Sequence, residues 1–198
     1  MSGGSTGVLG HYLERMRPAD VTIHYLELAS PSDFRPKRSS RAGVRFAKVP
    51  VPMPELNRFF YCAIGGRWTW YERRPWTLAR WAEALGPELE TWVLSVDGIP
   101  AGYTELKRHA DGAVELNYFG LLDAYIGSGL GAHLLTAAVE RAWAMGAHRV
   151  LLNTCSLDHP AALPNYLARG FKEIRAETVR KQIPEMNPGP WNGSMEVP

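Results

Sequence analysis

The stretch Tyr125–Gly146, YIGSGLGAHLLTAAVERAWAMG, sets three glycines in five residues, Gly127, Gly129 and Gly131, directly ahead of a helical pattern. Leu130, Leu134, Leu135, Ala138, Val139 and Ala142 recur along one helix face, and Gly146 supplies a C-terminal stop. Glycine at a helix start forfeits backbone entropy and weakens the first turn. The return is a backbone that a ligand can approach closely. It lies where unpaired N–H groups and the positive end of the helix dipole attract an anion, and a phosphate group is the natural ligand. A Walker loop is excluded, because no Gly-Lys-Ser/Thr follows. A dinucleotide fingerprint is disfavoured too, since the spacing is GxGxG rather than GxGxxG.

Upstream of this turn three strands follow one another, Glu90–Asp97, Ile99–His109 and Ala113–Leu122, with Asp97-Gly98 and Asp111-Gly112 as hairpin turns between them. Earlier still, Val21–Ala29 alternates like a half-buried strand. Pro54–Gly65 and a segment from Thr77 to Gly86 read as helices, and Val8–Pro18 is compatible with a short helix. The proline- and arginine-rich stretch between residues 30 and 53 reads as irregular connection. Downstream, HRVLLNTC is an apolar strand, PAALPNYLARG a helix beginning at Pro160 and interrupted or bent by Pro164, and FKEIRAETVRKQIP one or two final strands. Hairpins followed by a helical crossover predict an α/β (α+β) fold: a mixed, mostly antiparallel central sheet of about six or seven strands flanked by helices. The expected division is an N-terminal extension over 1–20, partly disordered, one domain over 21–183, and a C-terminal tail over 184–198.

With 198 residues and 45% hydrophobic side chains, the chain can bury one core. A formal net charge of +2 does not call for nucleic acid. Cys62 and Cys155 are too few for a disulfide framework and read as free thiols in a reducing, cytoplasmic setting. No run approaches the roughly 18 apolar residues of a membrane span, and no secretory leader is evident. No histidine or cysteine spacing suggests a metal site.

Two blocks resemble the GCN5-related N-acetyltransferase (GNAT) family. Ile126, Gly127, Ser128, Gly129, Leu130 and Gly131 follow its Arg/Gln-x-x-Gly-x-Gly/Ala acyl-CoA loop, with Ile126 in the place of Arg or Gln. In LDHPAALPNYLARGF, Ala162, Tyr166, Gly170 and Phe171 fall on its Asn-x-x-Ala-x-x-x-Tyr-x-x-x-Gly-Phe motif, with His159 in the place of Asn. The resemblance covers about Thr91–Ile174. It implies transfer of an acetyl group from acetyl-CoA, as cosubstrate, to the primary amine of a small molecule or peptide, without a metal. Non-catalytic acyl-CoA binding, an RNA-associated module, or transfer of a longer acyl group are the alternatives.

Within that resemblance Tyr166 matches the general acid at the sulfur, and Glu115 the base, unless it is a solvated strand glutamate. Period-two alternation sets Glu115 on one face with Asn117 and Phe119. Backbone groups of Phe119 and Leu121 are expected at the acyl carbonyl and the pantetheine arm. His159 either caps its helix or contacts the cofactor. Trp68, Trp70 and Glu72 lie where the family reads its acceptor and could hold a cation, whereas Trp76 and Trp81 read as core. The six cations from Arg35 to Lys48 are a solvated loop or a contact for phosphates, an anionic acceptor or RNA. Edge strands leave room for a homodimer.

Overall fold

The computed structural model describes residues 15–191 and Ser194. Seven strands form one sheet in the order β2-β3-β4-β5-β6-β1-β7. They are β1 (Met16–Leu28), β2 (Val44–Lys48), β3 (Leu89–Val96), β4 (Ile99–Arg108), β5 (Val114–Leu121), β6 (Val150–Cys155) and β7 (Lys172–Pro184). Every neighbouring pair is antiparallel except β5 and β6. Helices α1 (Pro54–Gly65) and α2 (Leu78–Ala84) serve one face; α3 (Leu130–Ala144) and α4 (Ala162–Ala168) serve the other. This is the mixed, helix-flanked sheet that the residue pattern predicts. Among the described residues no helix is long and apolar enough to cross a membrane.

The differences have local causes. β1 starts at Met16 and takes in Met16–Asp20, which pair with β7 from Pro184 back to Arg180. Pro18 is tolerated because β6 ends opposite Ile23, so β1 is itself an edge there and one missing N–H costs no ladder bond. The rest of the helix expected over Val8–Pro18 lies outside the described residues. β2 comes from the stretch read as irregular: Val44 and Phe46 pack inward while Arg45 and Lys48 stay exposed, and pairing with β3 supplies what a five-residue strand cannot. Pro164 does not bend α4, because it falls in the first helical turn, where no N–H is required.

The basic connection before β2 crosses the outer side of α3. Lys37 N–H donates to Thr136 Oγ1 at 2.8 Å, Ser39 N–H to His133 Nδ1 at 3.1 Å, and Arg38 grips both oxygens of Glu140. Burial, then the nearby Arg38 charge, pushes the His133 imidazole below its ordinary range. His133 therefore anchors a crossing segment.

Candidate active site

β5 and β6 pair only over Val114–Leu116 and Val150–Leu152, then diverge. The β6-facing edge of residues 117–121 is left without a strand partner, and a cleft of about 750 Å³ opens there. A bulge sits at the fork. Leu116 pairs with Leu106 and Tyr118 with Glu105, so Asn117 is an extra residue in β5. It reverses the alternation: Phe119 packs with Leu116 on the α3 side, while Tyr118 packs with Phe60 and Tyr61 on the α1 side. The expectation that Glu115 and Phe119 share a face is therefore overturned. Glu115 bonds His109 Nε2 at 2.9 Å and, at 3.4 Å, Asn153 Nδ2, and it does not line the cleft.

The glycine turn forms one end of the cleft. Gly127 and Gly129 have φ of 78° and 80°, left-handed values that glycine adopts without strain. A Cβ built on either meets nothing within 4 Å. Gly131 is different, since its backbone is helical and its Cβ would only touch Leu121 Cδ1 at 3.8 Å. Ile126 N–H turns back to the Asp123 carbonyl and Ser128 N–H to that of Tyr125, whereas the N–H groups of Gly127 and Gly129 have no partner among the described residues. Ser128 Oγ donates to the Tyr125 carbonyl at 2.5 Å and Leu130 is buried with Leu134, so these two hold the turn rather than line the cleft.

Across the cleft stands Tyr166 on α4, 7% exposed and edge-on to Phe119 and Phe171. Burial, and secondly the Asp158 charge, pushes its hydroxyl well above the ordinary phenol range. No described residue takes a hydrogen bond from it. Asp158 also lines the cleft, with Oδ2 accepting from Thr154 Oγ1 at 2.7 Å and Cys155 N–H at 2.9 Å, and Oδ1 from Trp70 Nε1 at 3.3 Å. Cys155 faces the cleft as well, its thiol pushed up by burial and then by Asp158. His159 Nδ1 accepts from Ala161 N–H at 3.0 Å and its ring stands edge-on to Trp68 at 4.8 Å, so it joins the helix start to the aromatic wall.

That wall is made by Trp68, Trp70, Tyr71 and Glu72. Behind it the aromatic cluster already holds a cation of its own. The Arg73 guanidinium lies 4.3 Å from the Tyr118 ring centre, 4.8 Å from Trp76 and 5.6 Å from Trp81, and donates to Glu105 at 3.2 Å. Trp81 is core, 1% exposed, as its helix spacing suggests.

The profile of the Acetyltransferase (GNAT) family matches residues 53–171, more than half of the chain and the whole of this cleft's central frame. The chain belongs to the GNAT family. The fold repeats in solved GNAT structures. A GCN5-related N-acetyltransferase from Kribbella flavida superposes with a TM-score of 0.58 at 22% identity, over 86% of this chain and 61% of its own. One from Sphaerobacter thermophilus gives 0.61 at 18% identity, over 88% and 55%. The ribosomal-protein-S18-alanine N-acetyltransferase of Escherichia coli gives 0.54 at 16%, over 72% and 94%. This chain thus spans less than two thirds of the first two proteins. No curated protein matches it.

In this GNAT chain the cleft brings together Tyr166, Phe119, Leu121, Ile126, Gly127, Gly129, Gly131, His159, Trp68, Trp70 and Glu72, and leaves Glu115, Ser128 and Leu130 outside its lining. Asp158, Tyr118, Asn165 and Lys181 also line it, unanticipated from the pattern. Asp158 had a signal, a carboxylate just ahead of the GNAT helix motif in LDHPAALPNYLARGF. Lys181 had none, since its strand becomes a neighbour of the cleft only through β1.

Proposed function

We propose that this GNAT chain transfers an acetyl group from acetyl-CoA to a primary amine of a small molecule or peptide. The observation that carries the reading is Gly131. A helical glycine costs stability, no nearby protein atom requires it, and it borders the cleft beside the Gly127 and Gly129 amides, which have no partner among the described residues. Space kept free at that spot suits a diphosphate on the α3 terminus. The pantetheine amides then run along the open edge of β5, as an added strand would. Family membership supports an acyl-CoA donor.

The acceptor enters past Trp68 and Trp70, with the exposed Glu72 attracting its ammonium form. Glu72 is paired only loosely, with Lys181 at 3.5 Å, and so keeps lone pairs for a ligand. The amine, once neutral, attacks the thioester carbonyl and the thiolate leaves. Tyr166, which lines the cleft and like any phenol is protonated at neutral pH, supplies the proton to sulfur. Glu115 stands behind Asn153, so it serves as base only through a bridging water; Asp158, with three donors already on its carboxylate, is a poorer base.

Calorimetric titration with acetyl-CoA, followed by thiol release with a panel of primary amines, tests the reading. Gly131→Val should keep the fold and weaken acetyl-CoA binding by at least about tenfold, because a branched side chain fills the space. Heat with wild type but no thiol release for any amine would favour the non-catalytic alternative. No heat at all would end the proposal.

A further inference from the structure

The acceptor wall, residues 66–76, contains no regular helix or strand and is held from outside. The chain beyond β7 does the holding. Asn187 Nδ2 donates to the Arg67 carbonyl at 2.8 Å, and its Oδ1 accepts from the Thr69 hydroxyl at 2.9 Å. Two residues on, Gly189 N–H donates to the Gly66 carbonyl at 3.1 Å, and the Gly189 carbonyl accepts from Arg74 Nη1 at 2.7 Å. The backbones come so near that a Cβ on Gly66 would lie 2.2 Å from the Gly189 carbonyl carbon. These bonds bracket Trp68, Thr69, Trp70, Tyr71 and Glu72, all of which line the cleft.

Thr69 shows why the bracket is needed. Its φ is 60°, and a β-branched residue in the left-handed region is strained. Such a conformation persists only when the surroundings impose it. Asn187 ties both the Thr69 hydroxyl and the carbonyl two residues before it. Pro188 and Gly189 are buried and close the fold; Asn187 is exposed, and both its bonds go to the cleft-lining turn.

We propose that Asn187 is a positioning residue for the amine acceptor. By holding Thr69 left-handed it sets Trp68 and Trp70 toward the cleft, so segment 185–191 shapes an acceptor site whose lining it does not enter. The inference rests on the transferase reading above. The donor end is independent of this segment: no bond joins 185–191 to Gly127–Gly131 or to Tyr166 among the described residues.

The test compares wild type, Asn187→Ala, and Asn187→Ala combined with Thr69→Gly. Acetyl-CoA affinity is measured by calorimetry, thiol release with a panel of primary amines, and hydrogen exchange over residues 66–74. Asn187→Ala should leave acetyl-CoA affinity within about twofold and raise the acceptor KM about tenfold, with kcat less affected, as a misplaced binding wall does. Amides of Trp68–Tyr71 should exchange faster. Glycine adopts this φ freely, so Thr69→Gly should recover most of the acceptor KM in the Asn187→Ala background. Equal losses for donor and acceptor, or unchanged exchange and KM, would reduce Asn187 to a part of the fold and overturn the proposal. Wild type that binds no acetyl-CoA defeats the transferase reading instead; if no amine is turned over, unchanged exchange in Asn187→Ala still overturns the clamp.

Discussion

On the α3 face of the sheet, Leu26, Leu28, Leu106, Val114 and Leu116 meet Leu135, Ala138, Val139 and Ala142, an aliphatic layer without a buried charge. On the α1 face, Phe60 stacks on Tyr103 at 4.9 Å and Tyr61 stands against Trp81 and Tyr118. Glu105 sits among them at 0% exposure, taking bonds from Asn57 Nδ2 at 2.9 Å, Asn117 Nδ2 at 3.1 Å and Arg73 Nη1 at 3.2 Å. Aliphatic packing is non-directional and makes a stiff slab beneath α3. Hydrogen bonds to a buried carboxylate are directional, and each one orients a different element. Here they pin the bulge residue Asn117, α1 through Asn57, and the aromatic wall of the cleft through Arg73. One face supplies rigidity and the other supplies aim.

Glu105→Ala puts this contrast under the greatest load. It strands Arg73 in a mostly buried site and should cost about 3–5 kcal/mol in chemical denaturation. Replacing the pair with Glu105→Leu and Arg73→Met should be much milder, and equal losses in the two would remove the charge argument. Leu135→Ala on the opposite face should cost about 2–4 kcal/mol through lost contacts and a cavity, with acceptor selectivity untouched because nothing there is directional. Tyr166→Phe should lower kcat about 10²-fold while leaving the melting temperature and acetyl-CoA affinity nearly unchanged. Full activity would take the acid role from it.

The smallest effect concerns charge at the rim of the α3 face. Hydrogen bonding from Arg141, then from Lys48 and Trp92, holds the Glu90 carboxyl down at about 2 despite its partial burial. A depressed folded pKa adds stability that is complete above the ordinary carboxylate range and is lost as pH falls through the folded value. Melting temperatures between pH 5 and 2 should therefore drop less for Glu90→Gln than for wild type. An identical acid profile would mean that the Arg141 pair contributes nothing.

Legibility followed the same division. Gly127, Gly129, Gly146 and Gly170 mark left-handed backbone, and that demand is visible in composition because other residues resist it. The α3 stripe is legible because aliphatic packing repeats with the helix. Asn117 left no trace: a bulge is one extra residue in a strand, and nothing in VELNYFGL marks where alternation reverses. Hence simple alternation puts Glu115 on the face of Phe119, and the fold does not. Glu105 looked like any strand glutamate, since its partners Asn57 and Arg73 come from distant parts of the chain. Val44–Lys48 carried too few apolar residues to stand out from its basic surroundings. Asn187 belongs to a stretch of proline and glycine that reads as a loose end until its bonds to Arg67 and Thr69 are seen.

The position of β1 bears on how this protein is built. Of the seven strands it is made first, yet its two neighbours in the sheet, β6 and β7, are the last two made, with Ile23 opposite Cys155 and Val21 opposite Val179. Both of its edges therefore wait until β6 and β7 have been translated, an arrangement of high sequence separation that slows folding and leaves an unpaired strand open to aggregation. The same pairing sets Met16 against Pro184. A linker running from Trp191 back to Met16, with a new opening at the Asp111-Gly112 hairpin, would give a circular permutant that keeps the Asn187 and Gly189 contacts while β7 and β1 emerge one after the other.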